Sequence, residues 1–340
     1  MARGMSNPIP LSILDQSPIR RGGNAFDAIN ETVALAQLGE RLGYRRFWVS
    51  EHHAMEGLAG VAPEILLARI GAQTRAIRLG SAGVMLPHYS PYKVAENFKL
   101  LGAMYPGRID CGVGRAPGSD QYTAAALRYG SPLGPEYFPN KVADLDALLR
   151  DVPPRTEGLE KARAMPLLDV APELWMLGSS PDSAHLAGLM GLPYSVAQFI
   201  NPQVGDNILR LYRQRFQPSE VASKPYASLG VFAICADTEA EAQRLARSRE
   251  LWYLRILSTP NGGPLPSVEE AENYAYSPQE LATMRAFPRA AVLGTPAQVK
   301  EQLQEVAERF DADELVIVTI TYDFAARCRS YELLAEAWGL

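Results

Sequence analysis

Three short apolar runs in this 340-residue chain end in residues suited to chemistry. The first, Arg46 to Ser50, passes directly into Glu51, His52 and His53. Alternation along a strand sends His52 and His53 to opposite sides, so at most one of them need face a cleft at the strand end. A histidine in that place suits proton transfer near neutral pH. The plainer account is a strand-end pair held by local hydrogen bonds. A metal centre needs three or four converging ligands. The chain has only His52, His53, His88 and His185, with no HxxxH spacing among them, so no metal site is expected.

The second run, Arg108 to Gly114, leads into Arg115-Ala116-Pro117-Gly118. Its glycines do not make the dinucleotide fingerprint, because Pro117 stands where the third glycine belongs and Gly118 comes one place late. They suit a backbone that approaches a ligand closely, with Arg115 as a charged fork for phosphate. The alternative pairs Arg115 with an acid such as Asp120. The third run, Leu174 to Leu177, meets Gly178-Ser179-Ser180-Pro181-Asp182-Ser183, a tight turn with a capping serine and proline at the first helical position. Backbone N–H groups at such a helix start bind anions, although a simple capped helix has the same signature. If these two runs are neighbouring strands, Arg115 and the Ser179–Ser183 turn converge on one phosphate. Small residues at Ser81-Ala82-Gly83 suit either a flat ring lying on the backbone or close strand packing, and the sequence does not separate the two.

Elements that position these residues recur in one order. Strand-like runs at 11–14, 46–50, 77–86, 108–114, 174–177, 194–199, 229–235 and 314–320 alternate with helical segments at 27–42, 63–74, 91–104, 140–149, 181–190, 203–216, 238–254 and 323–338. Near-continuous apolar strands imply a parallel sheet covered by helices. Eight such units without a break in composition favour a single closed α/β barrel, (β/α)8, over a doubly wound sheet. In such a barrel the active site lies at the C-terminal ends of the strands. Two stretches interrupt the pattern. Residues 151–172 are rich in proline and charge. Residues 258–295, between the seventh and eighth strands, carry Pro260, Gly262, Gly263, Pro264, Pro266, Pro278 and Pro288 and precede a further helix at 296–309. Insertions of that length are commonly functional lids or disordered loops.

Composition narrows the function classes. A net charge of −5 with no basic run argues against nucleic acid as the partner. Cys111, Cys235 and Cys328 are far apart and form no CxxC, which suggests neither a disulfide framework nor zinc. The segment Met1 to Pro10 lacks an apolar leader core, and no run reaches the roughly 20 apolar residues that span a bilayer. A cytoplasmic protein with no membrane partner is the expectation.

Taken in order, FWVSEHH, GSAGVMLPHYSPYKVAENFKLL, PGRIDCGVGRAPGSD, LWMLGSS and GLPYSVAQFINP resemble the bacterial-luciferase-like flavin monooxygenases over nearly the whole chain. The resemblance implies a TIM barrel that uses FMN, supplied in reduced form by a separate flavin reductase, together with O2 and a small organic substrate. It further implies a homodimer. Carried over by position, His52 matches the catalytic histidine. Arg115, Gly178, Ser179, Ser180 and Ser183 match the phosphate grip, and Ala82-Gly83 falls where the family has a non-prolyl cis peptide under the isoalloxazine ring. Residues 258–295 fall where luciferase has its mobile loop. Gly114 takes the place of luciferase's reactive cysteine, so light emission from a long-chain aldehyde is not implied. The chemistry implied is addition of oxygen at C4a of reduced FMN, giving a peroxyflavin that oxygenates the substrate with His52 assisting proton transfer. Hydride transfer with a deazaflavin is the rival within the same barrel. A non-catalytic flavin-binding protein is another, opposed by the eight units and by His52. Tyr89, Tyr122, Tyr137, Phe199 and Tyr276 are candidate pocket aromatics.

Overall fold

Strands with both faces buried form the centre of the computed structural model, which describes residues 9–131, 133–201, 203–259, 262–286 and 291–340. Ten strands alternate with the helices: β1 (Leu11–Asp15), β2 (Arg46–Val49), β3 (Arg78–Ser81), β4 (Val84–Met85), β5 (Ile109–Gly114), β6 (Glu173–Gly178), β7 (Tyr194–Ala197), β8 (Ala227–Cys235), β9 (Ala291–Gly294) and β10 (Glu314–Val318). Every pairing is parallel, and the order β1-β2-β3-β5-β6-β7-β8-β10 closes on itself through Leu11↔Leu315 and Glu314↔Ser228. The chain is therefore an eight-stranded (β/α)8 barrel, with β4 and β9 as short additions.

Alternation assigns the two faces of each strand. Outward residues such as Phe47, Val49, Leu79 and Leu229 join the large core under the helices. Inward residues such as Leu14, Trp48, Trp175, Phe232 and Val316 fill the lumen. Trp48 and Trp175 meet there edge to face, with centroids 5.1 Å apart. The helices start on local signals. Asn24 caps α1 (Ala25–Arg41) through the Asp27 N–H at 3.1 Å, and Thr238 caps α8 (Glu239–Ser258) through the Glu241 N–H at 3.2 Å. Proline opens α2 (Pro63–Gly71), α3 (Pro91–Met104), α6 (Pro181–Leu189) and α11 (Pro296–Phe310).

The expected strand 77–86 is two strands. Gly80 pairs with Asp110 and Val84 with Val113, so four steps on one side face three on the other. One extra residue bulges out between them, and the Ala82–Gly83 peptide within the bulge is cis. The Ser81 hydroxyl bridges the gap, donating to Gly112 O at 2.8 Å and accepting from its N–H at 3.0 Å. An unforeseen helix, α4 (Gln121–Arg128), starts on Asp120, and α5 (Phe138–Leu149) follows it. Residues 258–295 contain α9 (Val268–Glu272), α10 (Pro278–Ala286) and β9, which extends the sheet beside the upper half of β8. Pro260 and Pro288 of that insertion, and most of Met1–Pro10, lie outside the described residues. α7 (Ile208–Arg215) starts later than its periodicity predicts, and α12 (Phe324–Trp338) ends the chain. Among the described residues no helix is long and apolar enough to cross a membrane.

Candidate functional site

A cavity of about 620 Å³ opens at the C-terminal ends of the strands. Leu14, Trp48 and Val316 line it from inside the barrel. Ala82 and Gly83 of the bulge, Arg115 after β5, and Gly178, Ser179, Ser180 and Ser183 after β6 come from three adjoining strand ends and form one wall. Seven residues singled out in the sequence thus share one surface.

The turn after β6 is built tightly. Ser180 caps α6 by accepting from the Ser183 N–H at 3.4 Å, and the Ser180 N–H donates back to Ser183 Oγ at 3.3 Å. The Ser183 hydroxyl also donates to Ser180 O at 2.7 Å and lies 2.8 Å from the Tyr194 hydroxyl, so it is committed within the protein. A Cβ added at Gly178 would fall 2.2 Å from Ser183 Oγ, which is why only glycine fits there. Asn201, which sequence reasoning did not single out, ties the loop after β7 to this turn by donating to Ser179 O at 3.2 Å.

Arg115 does not pair with Asp120, whose carboxylate instead accepts from the N–H groups of Tyr122 and Thr123 to cap α4. Its nearest acid is Asp182, at 3.8 Å and largely exposed. The guanidinium is half-exposed at the rim of the cavity and adjoins the start of α6. Those features suit an anion. Below it, the bulge and β5 present bare backbone: a Cβ on Gly83 would meet Leu177 Cδ1 at 2.6 Å, and one on Gly112 would meet Ser81 O at 2.1 Å. A Cβ on Gly114 would meet nothing within 4 Å, so the cavity has free space where luciferase has its cysteine. A flat, phosphate-bearing ligand such as FMN fits this set of residues.

His52 stands apart from that wall. It follows β2 at the same parity as inward-facing Trp48 but is not among the residues lining the cavity. Its Nδ1 lies 3.1 Å from Ser50 Oγ, and its N–H donates to Gly60 O at 2.9 Å. Burial, aided by neighbouring His53, pushes the imidazole down to about 4, so it is neutral at pH 7. β2 ends at Val49, before the histidines, and His53 is engaged in a separate network. Its Nε2 lies 2.7 Å from Glu51 Oε1, which also accepts from the Tyr89 hydroxyl at 2.7 Å. Glu51 Oε2 accepts from the Met85 N–H at 3.1 Å, and the His53 N–H donates to Gly118 O at 3.0 Å. Burial raises the Glu51 carboxyl, opposed by those hydrogen bonds. This network links the end of β2 to β4 and to the loop after Arg115, and sequence reading missed it because its parts are more than 30 residues apart. Of the candidate aromatics, Phe199 lines the cavity and Tyr89 serves this network. Tyr122 is largely exposed, Tyr137 is exposed, and Tyr276 donates to Ala271 O at 3.2 Å within the insertion.

Comparison with known proteins agrees with this geometry. Residues 9–313 match the family model described as luciferase-like monooxygenase. The uncharacterised Bacillus subtilis (strain 168) protein YwcH is 44% identical over 334 residues, covering 97% of this chain and 99% of the relative. The N-acetyl-S-alkylcysteine monooxygenase of the same organism is 39% identical, with 97% and 98% covered. Among solved structures, apo-MsnO8 superposes with a TM-score of 0.89 at 39% identity, covering 98% of each chain. Two more distant structures share the fold. The oxygenating constituent of 3,6-diketocamphane monooxygenase from Pseudomonas putida, in complex with FMN, has a TM-score of 0.70 at 20% identity and covers 97% of each chain. An F420-dependent secondary alcohol dehydrogenase has a TM-score of 0.67 at 15% identity, with 97% and 99% covered.

Proposed function

The chain belongs to the luciferase-like monooxygenase family, and we propose that within it this protein uses reduced FMN and O2 to oxygenate a small organic substrate. The observation that carries the reading is the convergence of Arg115, whose ion-pair partner Asp182 is 3.8 Å away and largely exposed, and the Ser180-capped turn on one wall of the cavity. Arg115, Gly178, Ser179 and Ser180 would hold the FMN phosphate, with Ser183 bracing the turn and Ala82–Gly83 supporting the ring. When bound, reduced FMN supplies the oxygen-activating chemistry. The cavity's apolar residues exclude water. His52 holds a neutral imidazole with Nδ1 engaged by Ser50, leaving Nε2 to take or give a proton.

Residues 258–295 are read as a lid hinged on a fixed stem. The stem is clipped to the loop after β1, since the Leu265 N–H donates to Ile19 O and the Arg21 N–H donates to Leu265 O, each at 2.8 Å. Reduced flavin comes from a separate reductase, and a cytoplasmic homodimer is the expected form. A relative named as a monooxygenase at 39% identity favours FMN over the deazaflavin of a structure at 15%.

Rapid mixing of protein and reduced FMN with oxygen tests the reading. The expected result is an absorbance transient that precedes oxidised flavin and lasts longer than in free solution. Reoxidation at the rate of free FMN, with tight deazaflavin binding instead, would select the hydride-transfer alternative.

A further inference from the structure

Arg249 lies four residues after Leu245 and three before Trp252, on the buried face of α8. Its guanidinium stacks on Phe232, 3.7 Å from the ring centroid. Phe232 is an inward residue of β8, two beyond Gly230, and Gly230 lines the cavity. Phe232 also packs in the cluster containing Leu14, Trp48 and Val316, which line the cavity too. Neither Phe232 nor Arg249 lines the cavity itself; Phe232 is one inward layer beyond Gly230 toward the C-terminal ends of the strands, and the guanidinium is stacked on that layer.

Of the other arginines of α8, Arg244 pairs with Glu241 and Arg255 with Glu270, each at 2.7 Å, and Arg247 is exposed to solvent. Arg249 has no carboxylate and no hydrogen-bond acceptor in contact among the described residues. Only the fields of adjacent Tyr253 and Glu250 favour its charge, and burial lowers its pKa to about 10, which leaves it cationic at pH 7. A cation on the packed face of a helix is costly unless something offsets it. Stacking on Phe232 offsets part of that cost and leaves the N–H fork without an acceptor. The phosphate wall at β5 and β6 is three and two strands away from β8 around the barrel, so FMN held there does not need this second cation. A planar fork matches a carboxylate in two-pronged fashion.

We propose that Arg249 recognises a carboxylate on the organic substrate, so that the preferred substrates are apolar molecules with one anionic end. This rests on the oxygenase reading above and names the substrate class for the same cavity.

The test is calorimetric titration of straight-chain carboxylic acids from butyrate to decanoate, each against its primary amide, with and without oxidised FMN. Native protein is expected to bind the longer acids about tenfold to a hundredfold more tightly than their amides, the range of a charge-assisted contact. Arg249→Gln should abolish that preference while amide affinity stays within about twofold, and Arg249→Lys should restore part of it. Arg249→Met, which keeps the packing over Phe232, reports by thermal melting whether the fold is intact. Lack of any acid-over-amide preference in the native protein overturns the proposal, as does a preference that survives in Arg249→Gln. A fall in FMN affinity in Arg249→Gln as large as that in Arg115→Gln also overturns it, by assigning the guanidinium to the flavin. Failure to bind FMN at all, with the acid preference intact in its absence, would instead remove only the oxygenase reading.

Discussion

The two ends of the barrel treat their arginines in opposite ways. At the N-terminal end Arg46 is enclosed and fully paired: its Nη1 lies 2.8 Å from Asp110 Oδ2 and 3.2 Å from Glu173 Oε2, and its Nε lies 3.2 Å from Glu314 Oε1. Arg78 closes the other side of Asp110, the Trp48 indole N–H donates to Asp110 at 2.9 Å, and the Tyr226 hydroxyl donates to Glu314 at 2.8 Å. Trp175 covers the Arg46 guanidinium at 4.7 Å. At the C-terminal end Arg115 has a single acid at 3.8 Å and Arg249 has none in contact among the described residues. The floor closes its charges on one another and so fixes the barrel. At the mouth Glu51 is bonded within the protein, whereas Arg115 and Arg249 are left available, and the ligands proposed above would complete them. Barrels of this type generally place stability at the first end and chemistry at the second.

The largest effect that would sharpen this contrast is expected at the floor. Asp110→Ala leaves Arg46 and Arg78 short of a carboxylate and should cost about 3–5 kcal/mol in urea unfolding, the usual penalty for breaking a buried pair. FMN affinity of the surviving folded protein should be unchanged. A loss below about 1 kcal/mol would mean that the floor is not the structural end. At the mouth, His52→Ala should lower turnover by about 10²–10⁴ with FMN binding intact, and equal losses in both would remove His52 from the chemistry. Arg115→Gln should weaken FMN binding by about tenfold to a hundredfold in a fluorescence titration, with melting temperature unchanged.

A smaller effect concerns pH. The His52 pKa is about 4 in the fold against about 6.5 when unfolded. Between those values the unfolded chain binds the extra proton, so this contribution to stability is complete above about pH 6.5 and is lost as pH falls toward 4. The profile of kcat/KM should accordingly show no inflection near 6.5 that depends on His52, and an acid limb at that pH that disappears in His52→Gln would overturn the lowered value. The smallest effect is expected for Gly114→Ala. Its Cβ enters open space, so unfolding free energy should change by less than about 0.5 kcal/mol, and only FMN or substrate affinity should register it.

The sequence made most of the scaffold legible because the signals are local. Continuous apolar strands, Ser180-Pro181 and Ser90-Pro91 each announce an element within a few residues. The wall formed by Ala82, Gly83, Arg115 and Gly178–Ser183 was legible for the same reason, since each residue ends a strand and neighbouring strands bring the ends together. The break in 77–86 was not, because a one-residue bulge depends on the register against β5 and leaves no mark in composition. The α4 helix has only one buried residue, Ala124, and so lacks an apolar stripe to read. Long-range partnerships were also hidden. Arg46 meets Glu314 across 268 positions, and the isolation of Arg249 is visible only once every acid has been placed.

The strand layer of the barrel also separates the cavity from the thiols. Cys111 and Cys235 lie on strands but face outward, into the core beneath the helices, and Cys328 lies on α12, packed against the same core. Burial holds Cys111 well above the ordinary thiol range and pushes Cys235 to about 12 and Cys328 to about 11. The thiolate is the form that reacts with peroxide, and Gly114 takes away the one sulfur that luciferase carries beside its flavin. Among the described residues, then, no cysteine lines the cavity, and on the oxygenase reading proposed above any peroxide released there would meet no readily ionised sulfur.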